Sequence, residues 1–287
     1  MINDSLDFSK IAAGKLEVDQ PRNEPTRLSA LVLVAEDNRV NQQITRYLLE
    51  SLGYRVDIVA TGREAVAAVT TTKYAAVLMD IQMTEMDGWM ATAEIRRREG
   101  TARHIPIVAL TAHALSDDRE RYLAAGMDDY LSKPLDLRAL DAMLQRWVID
   151  QSFAPEPADS LAPDGSDALE EAALDSTVLA NLRNLEAASG KTILATLIAL
   201  FSYTTPPRLA SLRSAIAASD VKIVNQEAHT LKGSCLNLGA RRMARLCSDL
   251  EAQGRAGDLT GASRLLTLIE AEFEHVCAIL EQEYMRA

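Results

Sequence analysis

Short aliphatic runs alternate with amphipathic stretches in the first half of the chain, and this alternation restricts the possible folds most. Four runs occupy residues 31–35, 55–59, 75–80 and 105–110, and a shorter fifth run lies near 129–132. Continuous apolar runs of this length are typical of strands buried on both faces. Helical patterns follow the runs at 41–51, 63–72, 89–98, 116–125 and 136–147. Repeated strand–helix units predict an α/β domain with a five-stranded parallel sheet and helices on both faces.

The second half of the chain shows no strand pattern. It follows residues 150–174, which contain seven acidic residues, no basic residue and three prolines. We expect this segment to be a flexible linker, because it has too few apolar side chains to form a core. Helical stretches then lie near 176–188, 191–203, 207–218, 221–237, 240–253 and 259–284. They predict an all-α antiparallel bundle, with a break between helices at Pro206-Pro207.

The composition excludes several classes of protein. The net charge is −11, of which the acidic segment contributes −7, so nothing resembles a basic nucleic-acid-binding face. No apolar run approaches the ~18 residues of a membrane span, and no leader peptide is visible. The three cysteines include no C-x-x-C pair, which is consistent with a reducing compartment. We therefore expect a cytoplasmic chain without membrane contact of its own.

Polar residues follow four of the predicted strands where each strand ends. Glu36 and Asp37 follow the first, Asp80 ends the third, Thr111 follows the fourth and Lys133 follows the fifth. The carboxyl ends of parallel strands meet at one edge of a sheet, where functional groups gather. Three carboxylates at one edge repel one another, which favours a bound divalent cation. Hard oxygen ligands suit Mg²⁺.

Four sequence runs here, AEDNRVNQ, VLMDIQMTEMDG, ALTAHA and DDYLSKP, resemble the response-regulator receiver family over about 29–148. The resemblance implies a flavodoxin-like, doubly wound sheet. It also implies that Asp80 is the nucleophile that becomes an acyl phosphate. Asp37, Asp80 and the backbone carbonyl of Gln82 would bind Mg²⁺ directly, and Glu36 would act mainly through water.

The same resemblance assigns roles around the phosphoryl group. Lys133 would pair with it, Thr111 would donate a hydrogen bond to it, and Tyr130 would be the aromatic switch that turns inward. The Lys133–Pro134 peptide bond is expected to be cis. The chain departs from the family in having Thr84 where proline is usual, which should loosen that turn, and Glu36 where aspartate is commoner.

A single histidine marks the second half. At 100° per residue, His229, Lys232 and Gly233 share a polar helix face opposite an apolar stripe. The run AHTLKGSCLNLGA and the following RLCSDLE resemble the histidine phosphotransfer (HPt) family over roughly 175–285. The resemblance implies that His229 is exposed and phosphorylated. Gly233 would clear space for an incoming aspartyl phosphate, and Lys232 would supply positive charge.

The N-terminal residues 2–19 resemble the end of the second dimerisation helix of histidine kinases. We therefore divide the chain into a remnant of that helix with a linker (1–27), a receiver domain (28–149), the acidic linker (150–174) and an HPt domain (175–287). No ATP-binding motifs occur between residues 19 and 31, so whether the chain is itself an enzyme stays open. It resembles the receiver–HPt half of a hybrid sensor kinase, whose parent protein would carry any membrane anchor.

These resemblances imply a phosphorelay. Asp80 would accept a phosphoryl group from an upstream histidine kinase and pass it to His229, which would phosphorylate a downstream response regulator. The alternative is a stand-alone output or scaffold protein whose phosphorylated receiver face controls partner binding. A DNA-binding regulator is disfavoured, since the second half lacks a basic recognition helix. A metal-dependent phosphatase typically has a second acid where this chain has Gln82.

Overall fold

The structure, a computed structural model, describes residues 30–100, 104–111, 116–149 and 173–285. The side chains of residues 116–119 and 285 are not described. The predicted kinase-helix remnant at 1–27 and nearly all of the predicted linker at 150–174 lie outside the described residues. The described residues form an α/β domain followed by a helix bundle.

The α/β domain contains a parallel sheet. Its strands are β1 (Leu31–Ala35), β2 (Arg55–Val59), β3 (Ala76–Asp80), β4 (Ile107–Thr111) and β5 (Asp129–Ser132), in the order β2-β1-β3-β4-β5. All four pairings are parallel, so the predicted sheet is confirmed. Alternate residues of a strand point to opposite faces. Val32 and Val34 therefore join one core, and Leu33 and Ala35 join the other.

Helices cover both faces of this sheet. They are α1 (Arg39–Ser51), α2 (Gly62–Thr71), α3 (Gly88–Glu99), α4 (Ser116–Ala124) and α5 (Leu137–Leu144), which runs into a π-helical turn at Gln145–Ile149. α1 and α5 pack on one face, and α2 and α3 pack on the other. Asn38 and Asp87 cap α1 and α3 by accepting hydrogen bonds from Val40 N and Met90 N, which satisfies donors that the helix leaves free.

The helix bundle contains five helices in its described part. They are α6 (Ser176–Ser189), α7 (Ile193–Ala217), α8 (Val221–Asn237), α9 (Arg241–Ala256) and α10 (Ala262–Met285). α7 to α10 pack side by side, with α7 also contacting α10, and α6 lies against α7. The predicted apolar stripe of α8, including Val224, Leu231 and Cys235, is completely buried. The predicted bundle is therefore confirmed.

The predicted helix break at Pro206-Pro207 is wrong, because α7 continues through both prolines. A proline inside a helix removes a backbone hydrogen bond. Here both prolines lie on the exposed side of the helix, where water can solvate the carbonyl groups that lose their donors. On the opposite side, Phe201 and Leu212 are completely buried. Their packing holds the helix together on both sides of the prolines.

The two domains pack against each other through α1, which contacts α6, α7 and α8. At one end of this contact the ammonium group of Lys191 pairs with Glu50 and lies 5.7 Å from the centre of the Tyr47 ring. The contact places the carboxyl edge of the sheet opposite α8. Among the described helices, none has the length and apolar character needed to cross a bilayer.

Candidate functional site

Three carboxylates lie together at the carboxyl edge of the sheet. Glu36, Asp37 and Asp80 each offer an oxygen, and these oxygens all lie within 4.8 Å of one another. Glu36 and Asp80 are buried, with 1% and 3% of their surface exposed. The donor set and its spacing fit a hard divalent cation such as Mg²⁺. The predicted cluster is thus brought together, and the Gln82 N–H donates to Asp80 Oδ1 at 3.2 Å.

Lys133 reaches this cluster from the end of β5. Its Nζ lies 2.8 Å from Asp80 Oδ2 and 2.5 Å from Glu36 Oε2. The Lys133–Pro134 peptide bond is cis, as predicted. Burial alone would lower the pKa of Lys133, but the charges of Asp80 and Glu36 outweigh burial and raise it. Lys133 is therefore a permanent cation beside Asp80, as a partner of phosphoryl oxygens must be.

Two of the carboxylates, Asp37 and Asp80, hold protons more tightly than usual. Burial, and then repulsion by Glu36, raises the pKa of Asp80 well above its ordinary value. The same two causes raise the pKa of Asp37 to about 6. A cation bound among these groups would offset the repulsion and keep Asp37 and Asp80 ionised.

Aromatic side chains adjoin the cluster at Thr111. The hydroxyl group of Tyr122 donates to Thr111 Oγ1 at 2.9 Å. The Tyr122 ring stacks on Trp89 at 5.2 Å and lies 5.9 Å from the predicted switch residue, Tyr130. Tyr122 is buried, whereas Tyr130 is half-buried. Tyr122 thus contacts both Thr111 and Tyr130.

On α8, His229 belongs to a hydrogen-bonded group that includes Glu251 of α9. His229 Nδ1 lies 3.1 Å from Glu251 Oε1, and Lys232 Nζ donates to Glu251 Oε2 at 2.6 Å. The expectation that His229 is exposed is wrong for this structure, since 12% of its side chain is exposed. The physical reason is that the α/β domain covers the polar face of α8. Lys232 is buried too.

These contacts determine the protonation states of His229 and Glu251. Burial lowers the pKa of His229, and the positive charges of Lys133 and Lys232 lower it further, although Glu251 acts in the opposite direction. Burial would raise the pKa of Glu251, but hydrogen bonds from His229 and Lys232 lower it to about 2. At neutral pH the imidazole is therefore neutral and Glu251 is ionised. The ionised Glu251 accepts a hydrogen bond from the Nδ1–H of His229, so the proton of the neutral ring lies on Nδ1 and Nε2 keeps its lone pair.

A cavity of about 170 Å³ connects the two predicted phosphorylation sites. Asp80, Thr111 and Gln82 line it from the α/β domain, and His229 and Glu251 line it from the bundle. A narrower gap is shared by Asp80, Lys133, His229, Lys232 and Gly233. Between them, the cavity and the gap are lined by the predicted site residues of both domains, except Tyr130.

Sequence reasoning missed four residues of this site. Glu251 ends the run RLCSDLE, and the only signal for it was an acid on the helix after the histidine helix. Tyr122 carried no recognisable signal. Asn38 and Asn41 lie three residues apart in AEDNRVNQ. Residues at that spacing share one face of a helix, which indicates a contact made by α1.

Comparison with protein-family models assigns both domains. The model described as "Response regulator receiver domain" matches residues 32–145, and the model described as "Hpt domain" matches residues 196–279. The chain belongs to the proteins that combine a receiver domain with an HPt domain. The α/β domain is its receiver domain and the helix bundle is its HPt domain.

Its relatives include hybrid histidine kinases. The chain is 32% identical over 267 residues to the aerobic respiration control sensor protein ArcB of Escherichia coli, covering 92% of this chain and 33% of that protein. It is 32% identical over 238 residues to the sensor histidine kinase GacS of Pseudomonas protegens, covering 81% of this chain and 25% of that protein. The chain thus spans a third or less of the length of these relatives.

Two solved structures contain chains that are similar to part of this chain. The receiver domain of the sensor histidine kinase PA1611 from Pseudomonas aeruginosa has magnesium in its active-site cleft. It is 49% identical to this chain, with 42% of this chain and 97% of that chain covered and a TM-score of 0.39. A complex of the Saccharomyces cerevisiae phosphotransfer protein Ypd1 with the Ssk1 receiver domain is 32% identical, with 43% and 92% covered and a TM-score of 0.40.

Proposed function

We propose that Asp80 accepts a phosphoryl group from an upstream histidine kinase and passes it to His229, which then phosphorylates a downstream response regulator. The observation that supports this proposal most is the cavity that Asp80 and His229 both line. In the transfer, His229 Nε2 attacks phosphorus and forms the P–N bond. The P–O bond to Asp80 breaks, and its electron pair returns to the Asp80 carboxylate.

The surrounding residues favour this step. Lys133 lies beside Asp80 and offsets the charge that develops on the departing carboxylate. Glu251 holds the imidazole through Nδ1 and stabilises the positive charge that the ring gains when Nε2 attacks. Lys232 is held by the same carboxylate, so its charge stays near the cavity that receives the phosphoryl group.

Glu36, Asp37 and Asp80 would hold Mg²⁺, with Gln82 as a backbone ligand. The fit rests on the spacing of the three carboxylates and on the raised pKa of Asp37 and Asp80, which a cation would relieve. When bound, Mg²⁺ offsets charge on the phosphoryl oxygens. The PA1611 receiver domain with its magnesium ion supports this assignment. Thr111 would hydrogen-bond the phosphoryl group, and Tyr122 would couple that contact to Tyr130.

The partners follow from the same assignment. ArcB and GacS are named as sensor proteins, and we infer that this chain, like a part of them, receives phosphoryl groups from a kinase domain. The Ypd1–Ssk1 complex pairs a phosphotransfer protein with a downstream receiver, which supports a second receiver as the acceptor from His229.

Phosphoryl labelling of two variants tests the relay. The chain is incubated with a labelled small phosphodonor and Mg²⁺. We expect His229→Gln to carry only alkali-labile label, because its Asp80 species is an acyl phosphate. The wild type should in addition carry acid-labile, alkali-stable label on His229. The Asp80→Asn variant and a sample in excess EDTA are the controls and should stay unlabelled. Alkali-stable label in His229→Gln, or labelling in EDTA, would contradict the assignments.

A further inference from the structure

Buried amide groups connect the receiver domain to the HPt domain beside the phosphotransfer cavity. Asn38 Nδ2 donates to the Thr230 carbonyl at 2.8 Å and to Ser234 Oγ at 2.7 Å. Asn237 Nδ2 donates to Asn41 Oδ1 at 2.8 Å. All five residues are buried, with between 3% and 9% of their surface exposed. We call these contacts, made by Asn38, Asn41, Thr230, Ser234 and Asn237, the amide latch.

The receiver domain fixes the orientation of both of its amide groups. Asn38 Oδ1 accepts from Val40 N at 2.9 Å, as the cap of α1. Only the Asn38 NH₂ group is therefore available to α8. Asn41 Nδ2 donates to Glu36 Oε1 at 3.1 Å, which turns Asn41 Oδ1 toward Asn237. Each amide group thus forms one hydrogen bond inside the receiver domain. Its other end, a donor in Asn38 and an acceptor in Asn41, faces the HPt domain.

The approach of the two helices is close at the same place. A Cβ atom added to Gly233 would lie 3.0 Å from Asn41 Nδ2. The backbone of α8 therefore touches the Asn41 side chain, and this contact limits the size of the residue at position 41. Asn237 follows His229 by eight residues, which corresponds to about 12 Å along a helix. Asn237 therefore contacts the receiver at a distance from His229, whereas Thr230 at the other end of the latch directly follows His229.

Buried polar contacts of this kind discriminate between partners. A receiver with an apolar residue at position 41 would leave the buried Asn237 amide of the HPt domain without this acceptor. One with an apolar residue at position 38 would lose the hydrogen bonds to Thr230 and Ser234. The penalty for a buried group that loses its partner, about 1.4 kcal/mol or more, corresponds to about a tenfold loss of affinity. Removing both partners together is much less costly. Specificity can therefore come from the penalty imposed on receivers that do not match.

We propose that the HPt domain selects receivers whose first helix has an asparagine cap and a second asparagine three residues later, as in Asn38 and Asn41. This selection rests on the proposed function, because it describes which receivers exchange phosphoryl groups with His229. The receiver domain of this chain is the first such partner. A downstream receiver uses the same face of α8 and meets the same requirement.

A double-mutant cycle between two full-length chains tests the selection. The donor chain carries His229→Gln and is phosphorylated on Asp80 with acetyl phosphate. The acceptor chain carries Asp80→Asn and keeps His229. Donors with Asn41 or Asn41→Leu are each combined with acceptors that have Asn237 or Asn237→Leu. The measured quantity is the ratio of the second-order transfer rates of the two donors on one acceptor. The acceptor's own receiver domain competes with both donors alike. Any effect of Asn41→Leu on nearby Glu36 is the same with both acceptors. Both influences therefore cancel when the two ratios are compared.

We expect the Asn41 donor to be preferred on the Asn237 acceptor and this preference to fall by about tenfold on the Asn237→Leu acceptor. Asn237→Ala, a smaller change, should give the same direction. The control acceptor Lys222→Leu, altered at an exposed position at the other end of α8, should leave the ratio unchanged. Ratios that agree within twofold on all acceptors would overturn the selection. Absence of transfer in every pairing, including the unaltered one, would overturn the proposed function itself.

Discussion

The neutral imidazole of His229 depends on opposing influences from its neighbours. Burial and the charges of Lys133 and Lys232 lower the pKa of His229, and Glu251 raises it. Because the pKa is lower in the folded protein than in a free histidine, the imidazole stays neutral down to a lower pH. This contribution to stability is complete above the unfolded pKa and is lost as the pH falls through the folded pKa. Transfer from Asp80 to His229 should weaken over the same acidic range.

The Glu251→Gln variant tests the role of the carboxylate. Since the negative charge of Glu251 raises the pKa of His229, its removal should lower that pKa further. Transfer should become about ten- to a hundredfold slower, because the imidazole loses its anchor and Lys232 loses its partner. NMR titration of the imidazole signals measures the first effect, and His275, which adjoins Glu272 instead, is the internal control. A higher pKa for His229 in the variant would contradict this assignment.

Substitution of Gly233 by alanine is expected to affect helix stability and the contact between the domains in opposite directions. Alanine stabilises a helix interior by about 1 kcal/mol relative to glycine. However, the new Cβ would lie 3.0 Å from Asn41 Nδ2. We expect Gly233→Ala to slow transfer from Asp80 to His229 by about tenfold through crowding, without lowering the denaturant midpoint of the bundle. Transfer at the wild-type rate would show that Gly233 is not needed for the contact, and a lowered midpoint would point to misfolding instead.

At the scale of helices and strands, the sequence predicted the receiver sheet well because its signals are local. The runs at β1 and β3 are buried on both faces, so their composition alone identifies them. The same local reasoning failed at Pro206-Pro207. Proline chemistry argues for a break, but buried Phe201 and Leu212 outweigh it through contacts made with other helices. The helix faces in α8 were assigned correctly from periodicity, because its apolar stripe faces its own bundle.

The candidate site was predictable only in part, because some of its contacts join residues that are far apart in the sequence. Glu36, Asp37, Asp80 and Lys133 were found because each directly follows or ends a strand. Glu251 was not, since its contact with His229 depends on how α9 packs beside α8. The exposure of His229 was predicted wrongly because the polar face of α8 was considered for one domain alone. Nothing in the local pattern shows that another domain covers that face.

At the scale of the whole molecule, the proposed relay would require one face of α8 to serve two receivers in turn. The receiver domain of this chain covers His229 in the structure, and the proposed downstream receiver would need the same side chain. The two cannot occupy His229 together. Onward transfer would therefore require α1 to leave α8, and the contacts of Lys191 with Glu50 and Tyr47 would have to break with the latch.

Transfer within one chain is the last expectation at this scale. A flexible linker of about 25 residues would span roughly 25–30 Å and give an effective concentration of order mM. The contact of α1 with α8 adds to this local advantage. We therefore expect transfer from Asp80 to His229 to be mainly intramolecular, with a first-order rate that does not change on dilution.

The measurement follows label from Asp80 to His229 over a hundredfold range of chain concentration. An equimolar mixture of the Asp80→Asn and His229→Gln chains, which can transfer only between chains, is the control and should slow in proportion to dilution. If the wild type slows in the same proportion, the reaction occurs between chains, and the contact between α1 and α8 serves a partner molecule instead.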